Sequence, residues 1–265
     1  MVKKRNSLSL RKLKILIMSK TSDDIMVQNG TTVNEKGISV EVMNGGPYSV
    51  HGDPKLVQQF IETDDNGTSV AYREGRAFEA KEGTHLCRCG LSKNKPYCDG
   101  SHRHAVESGI SLEETASRHP SLSQAEEYPG PVVSITDDGS LCAFARFCDQ
   151  DKRIWHEVES RDPEDVKLTV KMAQQCPGGR LITWNNKTNT PIETQHEPVI
   201  SIIEDPHQHC SGPLAFNGGI PVTSSDGFTY EVRNRQALCR CGHSSNVPFC
   251  DGSHASVRFQ DNLTD

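Results

Sequence analysis

The sequence predicts a β-rich α+β protein in which two copies of one small module flank an inserted α+β domain. Three observations lead there. A sixteen-residue pattern occurs twice: residues 87–102 read CRCGLSKNKPYCDGSH and residues 239–254 read CRCGHSSNVPFCDGSH, 152 positions further on (239 − 87). Short stretches of alternating apolar and polar residues lie beside Asn-Gly and Asp-Gly dipeptides, the pattern of antiparallel hairpins. Between the copies, a helix start stands between two strand-like runs.

Composition narrows the class. In 265 residues there are 34% apolar and 6% aromatic side chains, 21 Gly and 14 Pro, which describes a soluble, turn-rich and core-poor chain. No window approaches the ~18 consecutive apolar residues of a membrane-spanning helix. A net charge of −6 gives no general reason to bind nucleic acid or acidic lipid. Ten cysteines are too many to be incidental, and a secreted disulfide scaffold would be shorter and follow a signal peptide. Residues 1–20 hold seven Lys/Arg and no acid, but their uninterrupted apolar run is only Ile15–Met18, too short for a secretory core. Residues 1–38 read as a basic or polar tail without structure, with Met1 or Met18 as the first residue, and the protein as cytoplasmic with reduced thiols.

The elements follow in order. The first module covers 39–106. Gly46-Pro47-Tyr48 opens an alternating stretch in it, as Gly212-Pro213-Leu214 does in the second module, 210–265. From that Pro to the first Cys there are 40 residues in one copy (87 − 47) and 26 in the other (239 − 213). The extra residues, about 14 by that difference, are expected within 53–67. Ser69–Arg73 and Phe228–Val232 read as equivalent strands. Residues 107–131 read as a linker with a short helix at 112–118. In the inserted domain, 132–190, Val132–Ile135 is a strand ending in the turn 137–139. Asp162-Pro163-Glu164 starts a helix, with an N-cap acid, Pro at the first helical position and an acid on the positive dipole end. Val166, Val170 and Ala173 continue it, Pro177-Gly178-Gly179 ends it, and Leu181–Trp184 is the next strand. A second linker, 191–209, completes the chain.

Each repeat offers C-x-C-x8-C-x3-H: Cys87, Cys89, Cys98 and His102, then Cys239, Cys241, Cys250 and His254. In Cys-Asp-Gly-Ser-His the Cys and His are four apart, so one helical turn projects both from one face, with Asp99 and Asp251 placed to cap it. A single buried Cys is ordinarily a small hydrophobe; eight ligand-type residues recurring in register are not. Spacing leaves two metals open. Structural zinc takes Cys3His sets but usually opens with C-x2–4-C, whereas the tighter C-x-C suits two thiolates on one iron of a [2Fe–2S] cluster.

The pattern C-x-C-x2-S-x3-P-x-C-D-G-S-H, complete in both copies with Ser92 and Ser244, resembles the CDGSH iron–sulfur domain family. The resemblance implies one [2Fe–2S] cluster per copy, held by three Cys and one His, and a β-sandwich in which the copies pair about a pseudo-twofold axis. That internal pairing makes a monomer the expected state. Replacing one thiolate by neutral imidazole leaves the site less negative and ties cluster retention to pH, because a protonated ring cannot ligate iron.

Cys142, Cys148 and Cys176, the last followed by Pro177, resemble the divergent single-cluster ferredoxin-like domain found beside CDGSH motifs. The resemblance implies a third cluster, [3Fe–4S] or [4Fe–4S]; core cysteines without a cluster are the other reading. Cys210, His207 and His209 read as bystanders. No G-x-G-x-x-G after a strand, Walker A loop, G-x-S-x-G or H-E-x-x-H occurs. The expectation is therefore a non-enzymatic protein that passes electrons, or whole clusters, to redox or cluster-acceptor partners. Alternatives are a structural zinc interaction module and a relay component of an oxidoreductase system.

Overall fold

The computed structural model describes residues 25–263. The segment 1–24, with its basic run and Met18, lies outside them. The chain is β-rich α+β, and none of its described helices is long and apolar enough to cross a membrane.

The first module contributes β1 (Ser39–Val42), β2 (Tyr48–His51), β3 (Lys55–Thr63), β4 (Ser69–Phe78) and β5 (Thr84–Leu86). The inserted domain contributes β6 (Glu126–Pro129), β7 (Val133–Asp137), β8 (Leu181–Asn185) and β9 (Thr190–Pro191). The second module contributes β10 (Val199–Asp205), β11 (Cys210–Asn217), β12 (Val222–Thr223) and β13 (Arg235–Leu238). The sheet orders are β12-β1-β2-β5, β13-β11-β10-β3-β4 and β6-β7-β8-β9.

The first two sheets correspond strand for strand except for β4, which has no counterpart in the four-stranded sheet. In each, the strand before the Cys-Arg-Cys segment pairs antiparallel with a central strand, Leu86 opposite Tyr48 and Leu238 opposite Leu214. In each, a strand from the other module lies parallel beside the module's first strand: β12 beside β1 with Val222 opposite Val40, and β3 beside β10 with Leu56 opposite Ile200. Neither module completes its own sheet. Alternation explains what turns inward: Val40, Val42, Tyr48 and Val50 from one sheet meet Leu56, Ile200, Ile202, Leu214 and Leu238 from the other in a single core.

The extra residues of the first copy are the outer arms of the β3–β4 hairpin. Leu56 faces Phe78 there, whereas in the second copy the Tyr230 N–H already reaches the Val222 carbonyl. The additional chain therefore lies between Leu56 and Phe78, overlapping the expected stretch 53–67 and running past it. These arms reach the inserted domain, where Tyr72 packs on Phe147 at 4.6 Å between ring centroids and Ile61, Ala145, Ile203 and Ala215 close the cluster. Covering by that domain is why β10 reads as a nearly continuous apolar run instead of an alternating one.

The helix expected after Asp162 spans Pro163–Gln174, with the Asp162 carboxylate accepting from the Glu164 N–H at 2.8 Å. β4, β7 and β8 fall on the expected strands. Several expectations fail. Residues 112–118 form no helix; they run extended along the second module, held by Thr115 and Ala116 N–H groups on the Val247 carbonyl. Phe228–Val232 makes only isolated bridges, because Val232 is used to pair in parallel with Val27. That pairing orders residues from the stretch read as an unstructured tail: Val27 and Ile38 are buried and Asn34 bonds Gly219. β6, from the stretch 107–131 read as a linker, joins the sheet of the inserted domain, and β10, from the stretch 191–209 also read as a linker, is an inner strand of the five-stranded sheet.

Candidate metal centres

Each repeated motif is a loop closed on itself. The Cys87 N–H donates to the Pro96 carbonyl and the Cys98 N–H to His85, both at 2.9 Å; Cys239 with Pro248 and Cys250 with Ala237 repeat the arrangement. Ser92 and Ser244 are the inner struts: each hydroxyl donates across the loop at 2.6 Å, to Tyr97 and Phe249, and accepts an Asn N–H at 3.0 Å. Asp99 and Asp251 are not side-chain caps, since Gly100 and Gly252 occupy the N-cap positions. Their carboxylates accept the N–H of Lys93 and Ser101, or of Ser245 and Ser253, at 2.8 and 3.0 Å. The bonds to Lys93 and Ser101 hold Asp99 at about 2, and Asp251 also stays at about 2 although burial opposes it. Both glycines are left-handed, φ 88° and 87°, a region other residues enter at a cost.

The donors fall into two pairs per motif. The Cys87 and Cys89 sulfurs are 3.8 Å apart and those of Cys239 and Cys241 are 3.6 Å apart. The Cys98 sulfur lies 3.2 Å from His102 Nδ1, and the Cys250 sulfur 3.4 Å from His254 Nδ1. Two thiolates held tetrahedrally on one ion at about 2.3 Å are about 3.8 Å apart, so each pair has the bite of a single metal. Among the described residues, no three His, Cys, Asp or Glu side chains gather where one ion would sit.

Backbone donors surround the sulfurs. The N–H groups of Gly100 and Gly252 reach Cys98 and Cys250 at 3.4 Å. Cys87 is lowered to about 6, first by the neighbouring Cys89 thiol, with burial opposing and the Ser92, Gly90 and Cys89 N–H groups assisting; Cys239 is lowered to about 6 in the same way. Their partners Cys89 and Cys241 are raised by sharing that proton and by burial. One thiolate is thus ready in each Cys–Cys pair, while burial raises Cys98 and Cys250. Burial lowers His102, and lowers His254 further, to about 4, so both rings are neutral and free to ligate at neutral pH.

The motifs touch back to back. Cys89 and Cys241 form an antiparallel bridge, and a Cβ on Gly90 or Gly242 would stand 2.6 Å from the carbonyl oxygen of Cys241 or Cys89 respectively. These glycines, and the buried Arg88 and Arg240 of the Cys-Arg-Cys segments, were not singled out from the sequence. Their recurrence in both copies was the available signal.

The third set converges as well. Cys142 follows the turn Gly139–Leu141, Cys148 sits in the turn Phe147–Asp149 and Cys176 follows the Pro163–Gln174 helix. All three line one pocket with Phe144, Pro177 and Arg180. Phe144 and Arg146 take left-handed φ values of 53° and 62°. Among the described residues, no N–H group from Ala143 to Cys148 has a protein acceptor. A loop of unpartnered N–H groups around three thiols fits a sulfide-rich anionic group. Burial raises Cys148 to about 12. Cys210, at the start of β11, is buried and raised to about 11 by that burial, while His207 and His209 are exposed on the adjoining turn.

Residues 45–103 and 211–255 match the family described as iron-binding zinc finger CDGSH type, and residues 128–186 match the divergent 4Fe-4S mono-cluster. The chain is a tandem CDGSH iron–sulfur protein. The two CDGSH regions contain all eight paired donors, and the mono-cluster region contains Cys142, Cys148 and Cys176. No curated protein and no solved structure matches the chain.

Proposed function

We propose that this protein is a cytoplasmic electron carrier, not an enzyme, binding one [2Fe–2S] cluster in each CDGSH motif through three Cys and one His and a third, [3Fe–4S] or [4Fe–4S], at Cys142, Cys148 and Cys176. The observation that carries the reading is the division of each motif's four donors into two separate pairs of single-metal bite. Two bridged irons need two such pairs. A lone structural zinc needs all four donors around one point, and no such gathering exists among the described residues.

Such a cluster supplies one-electron chemistry without bond rearrangement. The chain holds the thiolates with N–H groups, keeps His102 and His254 neutral, and shields the inner cysteines from water. The pairing we infer between the modules is a pseudo-twofold β-sandwich within a monomer. The reciprocal parallel strands, the shared core and the mutual approach of Gly90 and Gly242 support it.

Release of a whole cluster to an acceptor protein is the second reading, and it has its own support at the first motif. Cys98 and His102 are only half-buried there, and protonation of the ring would free one corner. Iron and acid-labile sulfide analysis of anaerobically purified protein, with its visible spectrum, tests the main reading. Four irons per chain are expected from two [2Fe–2S] clusters, plus three or four for the third. Colourless protein carrying zinc would refute it. Cycles of chemical reduction and air oxidation that leave the iron content unchanged are expected for an electron carrier, whereas transfer of iron to an apo-acceptor would establish delivery.

A further inference from the structure

Arg88 and Arg240 occupy the same place between the first two cysteines of their motifs, and both are buried. Two of their contacts match. Nε donates to Gly46 at 2.6 Å in one copy and to Gly212 at 2.7 Å in the other; Nη2 donates to the Met43 carbonyl at 2.9 Å and to Ile203 at 2.8 Å. The remaining contacts differ in kind. Arg88 Nη1 meets another carbonyl, Leu112 at 3.0 Å, while Arg240 Nη1 meets the Asp261 carboxylate and Nη2 also meets Glu204 at 2.7 Å. Strand register makes Asn44 the counterpart of Glu204, each standing two residues beyond the equivalent pair Val42 and Ile202. Among the described residues Arg88 makes no ion pair.

Deepening the iron–sulfur reading and resting on it, we propose that these arginines poise the two CDGSH sites differently. Arg88 leaves a buried positive charge uncompensated beside the first, and Arg240 is neutralised by Glu204 and Asp261 beside the second, so the first site accepts an electron at the higher potential. Reduction adds one electron from an external one-electron reductant and makes or breaks no bond, so the site gains one negative charge. An unbalanced guanidinium in a low-dielectric surrounding favours that gain, and carboxylates oppose it. Burial pushes Glu204 up to about 7, with Arg240 opposing and Asp261 assisting. Counting each arginine with the carboxylates bound to it, the first is the more positive by one charge when Glu204 holds a proton, and by two when it does not. Arg88 and Arg240 touch no reacting atom; they are positioning residues for charge.

The test is a dithionite titration of the intact holoprotein followed by electron paramagnetic resonance at fixed potentials. Two waves are expected. At the midpoint of the first site, half of the first sites and fewer than half of the second are reduced. Glu204→Asn and Asp261→Asn should each raise the second wave and leave the first in place, while Asn44→Glu should lower only the first. Arg88→Met should lower the first wave and Arg88→Lys should largely restore it, a distinction that a purely structural role would not produce. Iron- and sulfide-replete variants whose waves stay where the parent's lie would overturn the assignment alone; protein without iron and sulfide would overturn it together with the iron–sulfur reading.

Discussion

At equivalent positions of the two motifs, Gly100 and Gly252 share a left-handed backbone and an N–H on the cysteine sulfur and differ in what packs against them. A Cβ on Gly100 would meet nothing within 4 Å, whereas one on Gly252 would stand 3.0 Å from the Cβ of Phe144 and 3.2 Å from the Cys142 carbonyl oxygen. The loop of the three-cysteine site lies over the second CDGSH site, with Ala143 packed against Ala237 and Cys250. The four donors there are each 3% exposed, while Cys98 and His102 in the first copy are only half-buried. One ligand set has been given two environments, a sealed one next to a third cysteine site and an open one at the surface. The sealing comes from outside the motif, so the comparison can be attacked there.

The largest effect is expected from the residue that holds the cover in place. Arg235 donates to the carbonyls of Ala173 and Cys176 at 2.6 Å and of Leu181 at 3.1 Å, and forms a 2.5 Å ion pair with buried Glu193. Arg235→Met strands that carboxylate and should cost about 3–5 kcal/mol in chemical denaturation. Chelator should then strip iron from the second site about as fast as from the first. Unequal rates in the variant, with the inserted domain undocked, would break the link between cover and protection.

Gly252→Ala comes next. Either alanine meets a left-handed penalty of about 1–2 kcal/mol, but only position 252 must also displace Phe144. Thermal melts should therefore show a larger loss for Gly252→Ala than for Gly100→Ala, and equal losses would show that the loop yields freely.

Acid sharpens the comparison further. Only the neutral ring ligates, and both rings have lowered pKa values, so each keeps its ligating form to a pH below the usual imidazole range. His254 is lowered further, to about 4. As pH falls, visible absorbance should be lost from the first site before the second. His102→Cys should abolish the early phase; a single unresolved phase in the parent would count against distinct environments.

The smallest effect is expected where nothing is sealed. Arg118 pairs with Asp226 at 2.6 Å on the surface, where water screens the pair, and Arg118→Ala should barely move the same melts, with both sites retained. A larger loss would mean that the extended segment 111–118 contributes to the second site's protection.

How far the site was legible differs between the regions for a physical reason. The eight CDGSH donors could be read directly, because Cys87 to His102 and Cys239 to His254 form closed local loops whose geometry is set within sixteen residues. The helix after Asp162 was equally local. The exchange of β3 and β12 between sheets was not legible, since parallel pairing joins residues such as Leu56 and Ile200 through no short turn. Nor was the ordering of Val27, which depends on Val232 at the far end of the chain. The extended path of residues 112–118 likewise follows from carbonyl acceptors on the second module, not from their own helix propensity.

By itself the sequence determined where the candidate metal donors lie, because donor identity and spacing are covalent properties of a short segment and each copy carries the full set. It also determined that there are two such sites, and that the residues between them form a separate small domain. Only the tertiary structure decided that these sites are unequal. The half-exposure of His102, the covering of Cys250 and Gly252 by Ala143 and Phe144, and the pairing of Arg240 but not Arg88 with carboxylates all depend on segments distant in the chain. Burial and charge compensation are sums over neighbours in space, and a repeated motif fixes none of those neighbours.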